Sequence, residues 1–140
     1  MDLILWRHAD AQDGAPDLAR ELTPKGREQA ARVGAWLRQH LPQGYRLLVS
    51  PAMRAQQTAQ ALRADFETVS ELASGASVEA ILKAAGTAGT VVVVGHQPEL
   101  GRAIAYLLCG EQRDWAVEKG AVWWIAGKSV KTVISPDLLP

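Results

Sequence analysis

The stretch Leu3-Ile4-Leu5-Trp6-Arg7-His8-Ala9 decides the fold. Four apolar residues in succession read as a buried strand. An arginine and a histidine then stand together where that strand ends. A cation beside an imidazole at the tip of a core strand is costly unless it faces a cleft that holds an anion. The pattern recurs twice. Val91-Val92-Val93-Val94-Gly95-His96 is a second apolar strand ending in a histidine. Leu47-Leu48-Val49-Ser50-Pro51 is a third, with Arg54 three residues past the proline. Three strands thus deliver two histidines and two arginines from their carboxyl ends, where open α/β sheets bind ligands.

The remaining elements follow from this frame. A polar loop over 10–22 carries Gly14, Pro16 and several acids. Thr23 then caps a helix with Pro24 at its first position, where the missing N–H costs nothing. Ala30, Val33, Trp36 or Leu37, and Leu41 recur at helical spacing, so the helix runs to about His40 before Pro42 and Gly44 close it. A strand is expected over 46–49, a helix over 53–64, a short strand over 66–69 and a helix over 78–85 capped by Ser77 or a neighbour. The valines at 91–94 show no alternation, which implies burial on both faces. Pro98 opens a fourth helix to about Leu108. The stretches 121–126 and 131–134 read as an antiparallel pair turned at Gly127. Strands alternating with helices imply right-handed crossovers. The expected fold is an α/β three-layer sandwich, a mostly parallel central sheet flanked by helices.

At 140 residues the chain is expected to be a single domain, 1–140, long enough to bury a core without staples. Lysine plus arginine and aspartate plus glutamate number 15 each, so the formal net charge is zero. That balance speaks against a general nucleic-acid or anionic-membrane binder but leaves room for a local basic pocket. The single cysteine, Cys109, follows an apolar helical run and is expected as a small buried hydrophobe. No leader pattern precedes the first strand and no apolar run reaches membrane-spanning length, so a cytoplasmic protein is expected.

Each polar residue has an ordinary explanation on its own: a core histidine, an ion pair, a helix cap, a solvated helix residue. Their recurrence in one topological position is what those explanations miss. A metal site lacks a ligand cluster, and adjacent arginines would repel a divalent cation, so no metal or cofactor is expected. A serine nucleophile lacks its glycine-framed elbow, and no phosphate-binding P-loop occurs. Phosphoryl transfer through histidine fits. Neutral imidazole is a good nucleophile, arginines clamp the equatorial oxygens of the transferring group, and neighbouring cations keep the imidazole unprotonated. His96, before a helix N-terminus, can donate another contact.

These residues resemble the histidine phosphatase superfamily. Arg7-His8-Ala9 is similar to its Arg-His-Gly signature, with alanine in place of glycine. Ser50-Pro51-Ala52-Met53-Arg54-Ala55-Gln56-Gln57-Thr58-Ala59 resembles its Ser-Pro-x-x-Arg segment, and Val94-Gly95-His96 its second histidine. The short length and Leu22-Thr23-Pro24-Lys25-Gly26 resemble the SixA-type phosphohistidine phosphatases. The resemblance covers about Met1 to Leu108 and implies a phosphoglycerate mutase-like fold. It implies His8 as the phosphorylated nucleophile, with Arg7, Arg54 and His96 completing the phosphate pocket and Arg20 as a further contact. Asp17 and Glu71 are both candidates for the general acid. The expected substrate is phosphohistidine on a signalling or phosphotransfer protein of the histidine phosphotransfer type. A small phosphorylated molecule, attacked by a broad phosphoester phosphatase, is the alternative. A catalytically silent phosphohistidine-binding module is the non-enzymatic one.

Overall fold

The computed structural model describes residues 1–140. Six strands and four helices alternate: β1 Asp2–Arg7, α1 Pro24–His40, β2 Arg46–Val49, α2 Met53–Gln60, β3 Glu67–Thr68, α3 Val78–Ala85, β4 Thr90–Gly95, α4 Glu99–Cys109, β5 Val122–Ala126 and β6 Ser129–Ile134. They form one sheet in the order β3-β2-β4-β1-β5-β6. The first four in that order are mutually parallel, and β5 and β6 are antiparallel additions. No helix is long and apolar enough to cross a membrane.

Strand alternation distributes the core between two faces. Leu3, Leu5, Leu48, Val91 and Val93 pack with Ile81 and Ala85 of α3 and Leu100 and Ile104 of α4. Ile4, Trp6, Leu47, Val49, Val92 and Val94 pack with Val33 and Leu37 of α1 and Ala55 and Ala59 of α2. This is the expected three-layer sandwich. The unbroken apolar runs of β1 and β4 are the consequence of covering both faces. The Thr23 cap is formed, its Oγ1 accepting from Gly26 N–H at 3.0 Å. The Ser77 cap is formed too, accepting from Ala80 N–H at 3.1 Å.

Three sequence expectations are corrected. The second helix stops at Gln60 rather than at 64. Its end tightens through Ala61 N–H to Thr58 O and Leu62 N–H to Ala59 O, and Arg38 of α1 takes the freed Leu62 carbonyl at 3.0 Å. The short strand shrinks to Glu67–Thr68 because only these residues pair with β2, at the sheet edge. Cys109 is exposed, not buried. The buried residues of α4 all lie within Glu99–Ala105, and Cys109 is its last residue, where left-handed Gly110 turns the chain away.

Three glycines, Gly26, Gly34 and Gly101, are required by close backbone approach, and the approach is tightest at Gly26 and Gly101. A Cβ on Gly26 would lie well inside 3.0 Å of the Asp10 carbonyl oxygen, and one on Gly101 equally close to the Trp115 carbonyl oxygen. Neither neighbour is a flexible side chain, so the backbone itself must move. Gly26→Ala and Gly101→Ala are each expected to cost about 2 kcal/mol or more. Chemical denaturation of the purified variants checks this, with a midpoint equal to wild type as the contrary result.

Candidate active site

Register brings the strand ends together. Arg7 of β1 lies beside Gly95 of β4, and Val49 of β2 beside Val94. The ladder continues one residue further, from His8 N–H to Gly95 O at 3.0 Å and from Ser50 N–H to Val94 O at 3.1 Å. His8 and His96 therefore face each other with ring centroids 5.2 Å apart. Arg54 enters from the first turn of α2. A polar cleft of about 270 Å³ opens here, lined by Arg7, His8, Arg20, Arg54 and His96, among others. A larger, mostly apolar cavity of about 790 Å³ lies between the far ends of α3 and α4 and holds none of these residues.

The tautomer of His8 follows from its surroundings. Its Nδ1 lies 2.8 Å from the Ala9 carbonyl oxygen. A carbonyl only accepts, so Nδ1 carries the proton and Nε2 keeps its lone pair. Ala9 is in turn fixed by its N–H donating to Thr58 Oγ1 at 3.0 Å, and Thr58 Oγ1 donates to Arg54 O at 2.7 Å. Burial pushes the His8 ring down to about 4. The hydrogen bond to Ala9 opposes this, while Arg54, Arg7 and Arg20 reinforce it. The neighbouring cations were the expected cause, but burial is the larger one. His96 is pushed down to about 3, first by burial, then by His8 and Arg54, with Asp17 opposing.

The arginines are held by backbone. Arg7 Nη1 donates to Val117 O at 2.9 Å, and Arg54 Nη1 to Asp17 O at 3.0 Å. Arg7 Nε and Arg54 Nε are buried with no acceptor. A buried donor left unpaired costs roughly 1–3 kcal/mol. Two arginines, with Arg20 beside them, line one cleft, which fits an oxyanion ligand. Arg20 also reaches the cleft, its Nη1 donating to Gln12 O at 3.0 Å.

The two acid candidates separate. Asp17 lies in the cleft, 3.3 Å from Arg54 Nη2 and 3.1 Å from Arg20 Nε. Burial raises its carboxyl, but Arg54 and Arg20 outweigh that and hold it below the ordinary carboxylate range. Glu71 is exposed, accepts from Ser70 Oγ at 3.2 Å and does not line the cleft. The structure adds cleft residues that sequence reasoning did not single out: Asp13, Ser74, Gln97 and Lys119. Gln97 follows His96 directly and was the most findable. Its Nε2 donates to Trp115 O at 2.8 Å, anchoring the segment whose Val117 holds Arg7. Buried Glu99 accepts from Gly75 N–H and so pins the loop that brings Ser74 to the rim. No group of three histidine, cysteine, aspartate or glutamate side chains could hold a metal ion.

The family model of the histidine phosphatase superfamily (branch 1) matches residues 3–75, which include His8 and Arg54. The chain belongs to the histidine phosphatase superfamily. Phosphohistidine phosphatase SixA of Escherichia coli is 33% identical over 123 residues, 79% of this chain and 76% of that protein. An uncharacterized protein of Mycobacterium tuberculosis is 36% identical over 99 residues, 66% of this chain, and the match spans 63% of that relative's length. Among solved structures, the protein histidine phosphatase SixA complexed with tungstate superposes with a TM-score of 0.84 at 27% identity, covering 99% of both chains. The histidine phosphatase fold therefore extends over the last thirty or so residues, where the sequence resemblance was only strand-like.

Proposed function

We propose that this member of the superfamily is a phosphatase that passes a phosphoryl group through His8 to water, and that its substrate is phosphohistidine on another protein. The observation that carries the reading is the His8 ring, locked by Ala9 O so that its free Nε2 lone pair shares the cleft with Arg7, Arg54 and His96. Nε2 attacks phosphorus, and the bond from phosphorus to the substrate nitrogen breaks with its electron pair. The leaving imidazole, protonated at its other nitrogen, departs neutral. Water then attacks the phosphoryl group on Nε2, the N–P bond pair returns to the ring, and inorganic phosphate is released. Arg7 and Arg54 neutralise charge on the equatorial oxygens throughout.

Two features favour a protein-borne phosphohistidine over a phosphoester. An alkoxide leaving group needs a proton donor, whereas Asp17 is held ionised by its arginines and Glu71 lies outside the cleft. The cleft is open to the surface rather than an enclosed cavity, so a phosphoryl group carried on a protein side chain can reach it. The similarity to E. coli phosphohistidine phosphatase SixA supports the same choice.

The test is a side-by-side assay of a phosphohistidine-bearing phosphotransfer domain against phosphoserine, sugar phosphates and p-nitrophenyl phosphate. The expected kcat/KM ratio is at least about 100-fold in favour of phosphohistidine, a difference of about 2.7 kcal/mol in transition-state stabilisation. Comparable efficiency on a common phosphoester would move the assignment to a small-molecule phosphatase.

A further inference from the structure

Ser50 follows β2 directly and is fully buried, and none of the steps above uses it. It is held on every side. Its N–H continues the ladder to Val94 O, and its carbonyl accepts from Gln56 Nε2 at 2.8 Å. Its Oγ accepts from Ala52 N–H at 3.2 Å and lies 2.8 Å from His96 Nε2. Across the same ring, His96 Nδ1 lies 3.3 Å from Arg54 Nη2. A guanidinium has donors only, so Nδ1 is the acceptor there. A neutral imidazole carries a single ring proton, which therefore sits on Nε2 and is donated to Ser50 Oγ.

We propose that Ser50 is a positioning residue that holds His96 as the Nε2–H tautomer, so that the Nδ1 facing Arg54 is free to take a proton and, as an N–H, donate a hydrogen bond to a bound phosphoryl oxygen. The proposal rests on the reading that His96 contacts the transferring group. The groups facing His96 are His8 from the end of β1, Arg54 from α2, and Asp17 and Arg20 from the first loop. In the free protein burial, His8, Arg54 and Arg20 keep the ring neutral against the opposing pull of Asp17. An incoming dianion draws the Arg54 N–H groups onto its own oxygens and leaves the Nδ1 lone pair against negative charge. Nδ1 then takes one proton from solvent and, as an N–H, donates a hydrogen bond to the anion, while Nε2–H stays on Ser50. The ring is a cation for as long as the anion is bound, and it returns the proton when phosphate leaves. Only an N–H bond forms and breaks. A serine that merely stabilised the turn through Ala52 N–H would leave the His96 tautomer unspecified.

The ring nitrogens of His96 report this directly in ¹⁵N-labelled protein by NMR. Expected in the free protein at neutral pH is a protonated Nε2 and a bare Nδ1, and with saturating tungstate both nitrogens protonated. A free protein with Nδ1 protonated and Nε2 bare would overturn the proposal without any variant. Ser50→Ala is expected to mix the tautomers and lower kcat/KM roughly ten- to a hundredfold, the range for a hydrogen bond to a charged ring. Ser50→Thr, which keeps the hydroxyl, is expected to restore the single tautomer and most of the rate. A Ser50→Ala variant with the wild-type His96 spectrum and rate would also overturn it. His96→Ala with undiminished turnover would instead remove the phosphoryl-contact reading, and the free-protein spectrum would still decide the tautomer.

Discussion

His8→Ala is expected to abolish turnover, with a loss of at least about 10⁴-fold, because the covalent route has no substitute nucleophile in the cleft. His96 is the nearest imidazole, but its Nε2 is committed to Ser50 and its Nδ1 faces Arg54. Rapid quench of the wild type with labelled substrate is expected to trap one phosphoryl group per chain, acid-labile and base-stable as a phosphoramidate is. The variant is expected to trap none. The same nitrogen is expected to set the acid limb of kcat/KM. With the ring pushed down to about 4, Nε2 keeps its lone pair above that pH. Activity is therefore expected to fall as pH drops through about 4, rather than through the ordinary histidine range near 6.5. A His8→Ala protein that turns over like wild type would end the covalent mechanism.

Arg54→Ala is expected to have the next largest effect, at roughly a hundredfold or more in kcat/KM. Charge-assisted hydrogen bonds contribute about 1.5–3 kcal/mol each, and the guanidinium can offer more than one to a phosphoryl group. The variant also frees Asp17, whose carbonyl and carboxylate both accept from Arg54. Arg54→Lys is expected to recover only part, because an ammonium lacks the planar fork. Circular dichroism and a denaturation midpoint guard against a folding defect. Arg54→Ala turning over normally in a folded protein would show that the anion is held elsewhere.

These expectations rest on residues that local sequence made visible. The unbroken apolar runs before Arg7-His8 and Gly95-His96 identify strands covered on both faces, and a polar residue at the end of such a strand has a cleft as its place to go. Thr23-Pro24 marks the start of α1 because a side-chain cap and a missing N–H act within one turn. All of this is carried by period, capping and strand length, which act over a few residues.

What lies across the fold was decided by tertiary structure alone. Asp17 and Glu71 are chemically equivalent in the sequence. Packing of the first loop against α2 puts Asp17 on Arg54, while Glu71 faces solvent. Arg7 is held by Val117, 110 residues away, through a segment with no motif of its own. Ser50 could be read as a turn residue until parallel pairing of β2 with β4 set its hydroxyl 2.8 Å from His96 Nε2. Cys109 looked buried from its apolar neighbours, but where a helix turns away from the sheet depends on the sheet it covers. Side-chain partners, tautomers and burial at such positions belong to contacts between distant segments. Their energies appear only once the strands have found their order, β3-β2-β4-β1-β5-β6.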